Sequence, residues 1–396
     1  MRGWSTGLDR VLGEGRRRLA GRRYGLLAHG ASLAGDLVPA HLALAAAGAP
    51  PAALFGPEHG FYGVEQDMVP SADAVDPWTG APIRSLYGGD ESSLTPSPRA
   101  FDGVDLLIVD LQDVGARYYT YAATAVWAAR AALDAGCEVW VLDRPNPLGE
   151  GVEGNLREAS CESFVGAFKT PVRHGLTLGE VVLLEARRRG WPREGLSVWA
   201  VEGWEPALGW GDRPFVAPSP NLPTLDIAWL YPGACLVEGT EVSEGRGTTR
   251  PFRLVGAPWV EPRSLAGRLA ARRLPGLAFV PTWFRPQFHK HAGEVCGGVE
   301  MVVTDPAALA PFRSGCELIF ALREEDPERF AWRQRPYEFV ADRPAVDLLA
   351  GSEALRRAVD AGDRVALEAW MGTWPAEERE FRAECEEVHL YPRRGR

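Results

Sequence analysis

The sequence predicts an α/β fold built on a mainly parallel sheet, and three observations support this. Short aliphatic runs of strand length recur in the first half of the chain, most clearly at residues 104–110 (VDLLIVD) and 138–143 (EVWVLD). These runs are continuously apolar, which is typical of strands buried on both faces. Helical patterns separate them, and alternating strands and helices indicate a parallel sheet covered by helices. We therefore predict a Rossmann-like, doubly wound sheet in the first half of the chain.

The first strands and helices follow one another in regular order. Residues 25–29 (GLLAH) form the first predicted strand, and a helical pattern occupies residues 38–47. The second predicted strand, residues 52–55, runs into the polar loop around Glu58, and a third strand is predicted at residues 83–87. This repeated order of strand, loop and helix is the unit from which parallel sheets are built.

Two later helices carry recognisable end patterns. The pattern at residues 119–135 follows the 104–110 strand and stops before Gly136, as expected because glycine favours the left-handed conformation just past a helix end. The pattern at residues 177–189 begins with Thr177 and Glu180, whose spacing is that of a capping box. One helix therefore follows each of the two clearest strands.

A proline-rich segment marks the predicted domain boundary. Residues 212–224 contain four prolines and cannot form a regular helix or strand. Because 396 residues exceed the size at which a single core usually stops growing, we expect two domains. Residues 1–226 form the predicted Rossmann-like catalytic domain, and residues 227–396 a smaller α+β domain that completes the active-site cleft. In the second domain we predict a strand near residues 298–303 and helices near residues 264–273, 306–314 and 351–361.

Composition and charge argue against several classes of partner. Hydrophobic residues make up 46% and charged residues 24% of the chain, the ordinary balance of a globular protein. The formal net charge of -10 argues against a nucleic-acid partner, which needs a basic surface. No apolar run is long enough to predict a membrane span. The first 25 residues lack the apolar core of a secretory signal, so we expect a cytoplasmic protein, or a secreted one if a leader preceded this chain.

The sequence predicts no metal and no cofactor. The six cysteines lie far apart, without the spacing of metal ligands, and we expect them to be reduced and mostly buried. His59 has no second ligand nearby in sequence, so a hydrogen-bonding role is favoured. His289 and His291 form an HxH pair whose acidic neighbours are limited to Glu294. The first strand lacks the GxGxxG pattern of dinucleotide sites.

Acidic loops are the first candidates for chemistry, because glycoside hydrolysis typically uses two carboxyl groups that flank the scissile bond. In a doubly wound sheet, ligands bind outside the carboxyl ends of the strands. Glu58, residues 110–117 and residues 143–146 all follow predicted strands and would meet at that edge. For Asp113, a helix N-cap or Asx-turn is the alternative interpretation. For Glu58 it is a loop salt bridge.

A glycine-rich loop is the second candidate. Residues 238–249 (EGTEVSEGRGTT) contain glycines that would let backbone amides form an anion-binding nest, and Arg246 supplies a fork for a carboxylate. The GK[ST] ending of a phosphate-binding P-loop is absent. A plain surface loop is the alternative.

A series of motifs in a fixed order resembles the NamZ family of peptidoglycan exo-β-N-acetylmuramidases. The motifs carry Glu58, Asp110, Asp143, Glu153, His174, Asn221 and Glu238 in FGPEHGFYG, DLQDVGARYYTY, VLDRPNPLG, VEGN, RHGLTLGE, PSPNLPT and YPGACLVEGTEVSEGRGTTRPF. VPTW, CGGVEMVVTD, YEF and DLLAGSEALR extend the resemblance through the second half. The chain departs from the family pattern at His29, where the family usually reads LLTN, at residues 238–241, where it reads EGTN, and at Asn155, where it reads VEGP.

The resemblance implies a Rossmann-like domain, a smaller C-terminal domain and an active site in the cleft between them. It also implies release of terminal N-acetylmuramic acid from the non-reducing end of peptidoglycan fragments without a redox cofactor. The substrate would then be a muropeptide or another peptidoglycan-derived sugar. Its lactyl carboxylate needs an arginine fork, for which Arg117, Arg144 and Arg246 are the candidates.

From these patterns we predict the site residues. Glu58 is the leading catalytic carboxylic acid, and the second carboxylate comes from Asp113, Glu153 or Glu238. The predicted substrate-binding residues are His59, Gln112, Arg117, Tyr119, Asp143, Arg144, Asn146, Asn221, Ser243 and Arg246.

Two other classes of function remain open at this stage. A metal-dependent hydrolase would use His59 with Asp110 or Asp143, and a chelator would abolish its activity. A non-catalytic muropeptide-binding or sugar-binding protein would use the acidic loops only for hydroxyl contacts, and would bind muropeptides without releasing a product.

Overall fold

A seven-stranded sheet forms the first half of the computed structural model, which describes residues 3–66, 69, 72–88, 91–192 and 194–394. Its strands are β1 (Tyr24–Ala28), β2 (Ala53–Gly56), β3 (Ala74–Val75), β4 (Pro82–Ser85), β5 (Leu106–Asp110), β6 (Glu138–Leu142) and β7 (Leu196–Trp199). The strand order is β3-β4-β2-β1-β5-β6-β7, and every pairing is parallel except that of β3 with β4. The predicted mainly parallel sheet is confirmed.

The central strands are buried on both faces, as their continuous apolar sequences predict. Every residue of β1, β2 and β5 is buried. Leu26 at the centre of β1 pairs in register with Leu54 of β2 on one side and Ile108 of β5 on the other. The chain passes from β1 to β2 and β4 on one side and returns to β5 on the other side of β1, so the carboxyl ends of β1, β2 and β5 open onto one crevice.

Helices cover this sheet. They are α1 (Gly7–Arg10), α2 (Arg16–Leu19), α3 (Ala40–Ala46), α4 (Tyr121–Asp134) and α5 (Leu178–Arg188), with a π-helical stretch, Val11–Gly15, between α1 and α2. Gly136, just past α4, has a φ of 79°. The capping box at the start of α5 is present, since Thr177 accepts from the Glu180 amide and the Glu180 carboxylate accepts from the Thr177 amide.

The second half is an α+β assembly around a three-stranded antiparallel sheet. Its strands, β8 (Leu254–Ala257), β9 (Leu277–Phe284) and β10 (Cys296–Val303), lie in the order β8-β10-β9. The helices are α6 (Leu225–Ala234), α7 (Pro262–Ala271), α8 (Pro311–Glu325), α9 (Ala345–Ala350), α10 (Ala354–Ala361), α11 (Arg364–Met371) and α12 (Trp374–Cys385). The smaller α+β second half is thus confirmed.

Two helix predictions in this half were wrong in their bounds. The predicted helix at residues 306–314 lies instead at α8, because Pro311 occupies its first turn, where a missing N–H costs nothing. The predicted helix at residues 351–361 begins only at Ala354, since Gly351 has a φ of 67° and ends α9. Residues 212–224 contain no helix or strand, as their prolines predict.

One hydrophobic cluster runs through both halves of the chain. It includes Val109 of β5, Val182 of α5, Leu318 of α8 and Leu348 of α9, all fully buried. The division into domains at residues 226 and 227 stays a prediction. Within the described residues, no helix combines the length and the apolar character that crossing a bilayer requires.

The C-terminal segment returns to the first sheet. The Tyr391 hydroxyl donates to Asp143 Oδ2 at 2.5 Å, and the Val201 amide donates to the Tyr391 hydroxyl. The Leu390 amide donates to Glu180 Oε1 at 2.9 Å. Residues from near the end of the chain thus complete contacts of β6 and α5.

Candidate active site

A small cavity lies where the loops after β2 and β5 meet the second half of the chain. Its enclosed volume is about 30 Å³. The lining residues are Glu58, His59, Tyr118, Tyr119, Thr120, Val165, Ser219, Asn221, Leu222, Tyr231, Glu238, Arg246, Phe252, Tyr337 and Glu338. Three of these are carboxylates and one is a guanidinium, so the walls are acidic and aromatic. Such walls suit a ligand with hydroxyl and amide donors.

Glu58 enters the cavity from the loop after β2. His59 and Gly60 both have left-handed backbone conformations, with φ values of 69° and 77°, so the chain turns sharply beside the carboxylate. The Thr120 hydroxyl donates to Glu58 Oε2 at 2.6 Å. Glu58 is 5% exposed. The carboxyl group is therefore held by a single side-chain donor at the carboxyl edge of the sheet.

Glu238 faces the same cavity from the second half of the chain. It lies on the 3-10 turn Cys235–Gly239, which continues α6. Arg246 Nη2 donates to Glu238 Oε1 at 2.6 Å, and the Tyr337 hydroxyl donates to Oε2 at 2.5 Å. This carboxyl group thus accepts one charge-assisted bond and one bond from a phenol.

Glu338 is a third cavity carboxylate, and the sequence analysis missed it as a site residue. It lies in the tight turn between Tyr337 and Val340, whose backbones pair with each other. Glu338 and Phe339 have φ values of 44° and 68°, a conformation that costs side-chain-bearing residues about 1 to 3 kcal/mol each and that clusters at functional sites. The Tyr87 hydroxyl donates to Glu338 Oε2 at 3.2 Å. Only its place in the YEF motif could have pointed to it.

Asp113 and Glu153 do not line this cavity. Asp113 Oδ2 accepts from the Gly115 amide at 2.6 Å, the Asx-turn geometry that was its alternative interpretation. Glu153 Oε1 accepts from the Arg313 amide in the first turn of α8. Burial raises the pKa of each carboxyl to about 7, although those amide bonds oppose the shift. Both carboxyls are thus bound to backbone away from Glu58.

Three predicted binding residues at the ends of β5 and β6 support the scaffold instead. Arg144 forms a buried bidentate pair with Asp110, with Nε to Oδ1 at 2.6 Å and Nη2 to Oδ2 at 2.8 Å. Asp143 accepts from the Thr177 hydroxyl and the Gly179 amide, and so caps α5. Asn146 bonds the backbone of residues 148 and 176. None of them lines the cavity.

Three more predicted binding residues bond protein groups outside the cavity. Arg117 donates to the carbonyls of Asn155, Thr170 and Leu349, and so ties the two halves together. Gln112 donates to the carbonyls of residues 113 and 145. Ser243 pairs with Gly256 through its backbone and accepts from the Gly245 amide. Of the three arginines considered for a lactyl carboxylate, Arg246 alone lines the cavity.

The glycines beside Arg246 serve packing within the protein. A Cβ on Gly247 would lie 2.4 Å from the Phe288 carbonyl oxygen, and one on Gly245 would lie 2.7 Å from the Leu254 carbonyl oxygen. Their φ values are 80° and 81°. At both glycines the close approach is therefore to neighbouring backbone, and the anion nest stays a prediction.

The histidines considered as metal ligands form hydrogen bonds or ion pairs. His59 Nδ1 donates to the Glu65 carbonyl at 3.1 Å, and His291 Nε2 donates to the Glu241 carbonyl at 2.9 Å. His289 Nδ1 lies 3.2 Å from Glu244. Among the described residues, no cluster of three or more His, Cys, Asp or Glu side chains has the arrangement of a metal site.

The structure therefore brings together six predicted site residues: Glu58, His59, Tyr119, Asn221, Glu238 and Arg246. Tyr118 and Thr120, which were not predicted, lie in the DLQDVGARYYTY motif and flank Tyr119. Tyr231 lies in α6, upstream of Glu238 in the same long motif. These residues could have been predicted by assuming that the neighbours of each motif's key residue also line the cavity.

Comparisons with known proteins agree with this architecture. The model of the N-terminal part of the exo-β-N-acetylmuramidase NamZ matches residues 24–226, and that of its C-terminal part matches residues 229–391. The peptidoglycan β-N-acetylmuramidase NamZ of Bacillus subtilis (strain 168) is 37% identical over 364 residues, which cover 91% of this chain and 85% of that protein.

Two crystal structures of DUF1343 family proteins from Bacteroides fragilis NCTC 9343 share the fold. The first has a TM-score of 0.87 and 29% identity, and the match covers 98% of this chain and 99% of the other. The second has a TM-score of 0.75 and 26% identity, with 99% of each chain covered. Since the family models together span most of the chain, and the Bacillus relative matches over nearly all of it, this chain belongs to the NamZ family of exo-β-N-acetylmuramidases.

Proposed function

We propose that this glycosidase removes N-acetylmuramic acid from the non-reducing end of peptidoglycan fragments, with Glu58 and Glu238 as its two working carboxyl groups. The observation that carries the assignment is that both line one cavity, from opposite halves of the chain. Asp113 and Glu153, the other candidates for the second carboxylate, lie outside it.

The contacts of the two carboxyls suit different roles. Arg246 and Tyr337 both donate to Glu238, which stabilises a carboxylate that acts in the ionised state. Glu58 has one neutral donor, Thr120, and no ion pair within 4 Å among the described residues. We assign proton donation to the leaving oxygen to Glu58, and stabilisation of the positively charged transition state, or activation of the attacking group, to Glu238.

Arg246 is the proposed contact for the lactyl carboxylate of N-acetylmuramic acid. It is the cavity's one cation among the described lining residues. Its side chain is 7% exposed and lies beside Glu238. A substrate carboxylate there would gain a charge-assisted bond in a largely desolvated place. The tyrosines at 118, 119 and 231 provide aromatic faces for the sugar ring.

The direct test uses two isomeric disaccharides. The substrate with N-acetylmuramic acid at the non-reducing end of N-acetylglucosamine should yield both monosaccharides, identified by mass spectrometry. The isomer with the order reversed should remain intact, because its terminal sugar carries no lactyl group. Release of products from the reversed isomer at a comparable rate would contradict the assignment, as would saturable binding of the first disaccharide without any product.

We also propose that the enzyme acts in the cytoplasm on imported fragments. All six cysteines are free and buried, which fits a reducing compartment. Fractionation of the native organism would test this, and recovery of the protein outside the cytoplasm, or an in-frame leader upstream of this chain, would contradict it.

A further inference from the structure

The segment at residues 287–291, here called the latch, is bonded to the segment that carries Glu238 and Arg246. Lys290 is at its centre. Its Nζ donates to the carbonyls of Val237 and Val242, both at 3.0 Å, and to Glu244 Oε2 at 2.8 Å. The Lys290 side chain is only 7% exposed. One ammonium group therefore binds residues that precede and follow Glu238 in the sequence, and all three of its N–H donors are used.

The rest of the latch reinforces this attachment. The Gln287 amide donates to the Gly247 carbonyl at 2.8 Å, and His291 donates to the Glu241 carbonyl. His289 and His291, on either side of Lys290, have φ values of 71° and 55°. Such conformations are retained only where surrounding contacts hold them. The latch is thus fitted to the cavity segment along residues 237–247.

Glu244 connects the latch electrostatically to the cavity. It is completely buried, with Lys290, His289 and Arg246 around it. Burial alone would raise the pKa of Glu244, but Lys290 first, then His289 and Arg246, hold it below its ordinary range. Arg246 therefore has two carboxylate neighbours, Glu238 at 2.6 Å and Glu244 at 3.4 Å.

We propose that Lys290 is a positioning residue of the active site: by neutralising Glu244, it leaves Arg246 aligned with Glu238. This inference rests on the proposed role of Glu238 as the ionised carboxylate. Without Lys290, Arg246 is the remaining ammonium or guanidinium group within 4 Å of the buried Glu244 carboxylate among the described residues. An uncompensated buried carboxylate is strongly unfavourable, so Arg246 moves toward it. Glu238 then loses the bond that favours its ionised form.

Several other titratable or charged groups lie near Glu238 and stay in place when Lys290 is replaced. The Tyr337 hydroxyl still donates to Glu238, and Arg333 lies 5.1 Å over the Tyr337 ring. Burial first, and then the charges of Cys235 and Glu238, raise the pKa of Tyr231. Glu58 and Glu338 line the same cavity and, when ionised, disfavour the charge on Glu238. Arg246 is thus the group whose displacement moves the titration of Glu238.

The test is the pH dependence of kcat for hydrolysis of the disaccharide of N-acetylmuramic acid and N-acetylglucosamine. In Lys290→Met, the acidic limb of the kcat profile should move to a pH about one unit higher. At pH values below the shifted limb, kcat should therefore be about tenfold lower than in the wild type, with little change in KM. Lys290→Arg should restore the wild-type limb, because it keeps the positive charge. Lys290→Met/Glu244→Gln should also restore it, since the buried charge is gone.

The only other lysine, Lys169, offers a matched control. Its side chain is 59% exposed and lies 3.6 Å from Glu380. Lys169→Met should leave the whole profile unchanged. A Lys290→Met profile with the wild-type limb, or with a uniform loss at every pH, would overturn the proposal. If Lys290→Met does not fold, Glu244→Gln alone decides: the Lys290 charge then has lost the Glu244 carboxylate, so the limb must move down, and an unmoved limb is the contrary result.

These outcomes are separate from a failure of the proposed function. Wild-type protein that released no product from the disaccharide would contradict the proposed function itself. If the wild-type profile has no acidic limb, or if Glu238→Gln retains that limb, the proposed role of Glu238 is contradicted.

Discussion

The Thr120 hydroxyl donates a hydrogen bond to Glu58 across the carboxyl edge of the sheet, with Oγ1 and Oε2 2.6 Å apart. Thr120 immediately precedes α4, and Glu58 follows β2. The strand order places β1 between β2 and β5, so this bond joins loops from strands that are not adjacent. It orients the Glu58 carboxyl toward the cavity.

Replacing Glu58 by glutamine should abolish most of the activity. Glu58→Gln keeps the shape and the acceptor for Thr120 while removing the titrating proton, so kcat should fall about 100-fold or more. The measurement is hydrolysis of the disaccharide, with thermal unfolding to show that the fold is intact. Glu202→Gln, on an exposed glutamate, is the matched control. Near-normal turnover by Glu58→Gln would remove Glu58 from the mechanism.

Replacing Arg246 by alanine should change substrate preference. Arg246→Ala removes the proposed partner of the lactyl carboxylate, so activity on N-acetylmuramic acid substrates should fall. The loss of transition-state stabilisation should reach up to several kcal/mol, the cost of breaking a buried charge-assisted contact. The weak activity on N-acetylglucosamine analogues should fall much less, because they lack the carboxylate. The ratio of the two activities is the readout. An equal fall for both would mean that Arg246 only organises Glu238.

Glu338 should prove necessary for efficient hydrolysis. If its carboxylate accepts hydrogen bonds from the bound sugar, Glu338→Gln should lower kcat/KM about 10- to 100-fold, the range for losing a bond to a charged group. Tyr87→Phe, which removes only the donor to Glu338, should have a smaller effect in the same direction. Unchanged kinetics in Glu338→Gln would assign this residue to the turn alone.

Asp113 should affect stability more than activity. Burial raises the pKa of Asp113 from 3.8 to about 7, so between these values the folded chain holds a proton that the unfolded chain releases. That stabilising contribution is complete below pH 3.8 and is lost as the pH rises through 7, at about 1.4 kcal/mol per pH unit. Asp113→Asn lacks this titration and keeps the Asx-turn acceptor.

The difference in unfolding free energy between Asp113→Asn and wild type should therefore grow in favour of the variant from pH 4 to pH 7. Denaturant titrations across that range measure it. Activity should remain, because Asp113 does not line the cavity. A 100-fold loss of kcat in Asp113→Asn would instead restore Asp113 as the second catalytic carboxyl.

His29 should give the opposite pH dependence. Burial, and then the charges of Arg144 and His59, lower the pKa of His29 from 6.5 to about 3. The unfolded chain binds a proton between these values that the folded chain does not, so stability is lost as the pH falls from 6.5 toward 3. His29→Asn, which removes the titrating group, should lose less stability over that range. Parallel pH profiles for the two proteins would contradict this.

The sheet could be predicted from sequence, whereas the composition of the site could be predicted only in part. Runs such as residues 104–110 define strands locally, because strands buried on both faces must be apolar throughout. The position after a strand also placed Glu58 correctly at the crevice. The same rule could not separate Glu58 from Asp113, because the direction of a side chain in a loop depends on local turns, and Asp113 is turned into an Asx-turn.

Glu338 illustrates the other limit of sequence reasoning. It lies in an irregular segment with no strand or helix signal, and its place in the cavity wall depends on long-range contacts such as that with Tyr87, 251 residues away in sequence. Arg117 and Arg144 illustrate a related limit. The sequence pattern of an arginine after a strand does not show whether its side chain contacts a ligand or, as Arg144 does, a buried aspartate.

The bond between Tyr391 and Asp143 makes completion of the first sheet depend on a residue that is synthesised much later. Asp143 leaves the ribosome 248 residues before Tyr391, an interval of about 10 to 50 s at ordinary translation speeds. During that time the nascent sheet lacks the phenol that completes the environment of a fully buried carboxylate. The buried Asp143 carboxyl therefore reaches its final environment only after the segment around Tyr391 has emerged and docked.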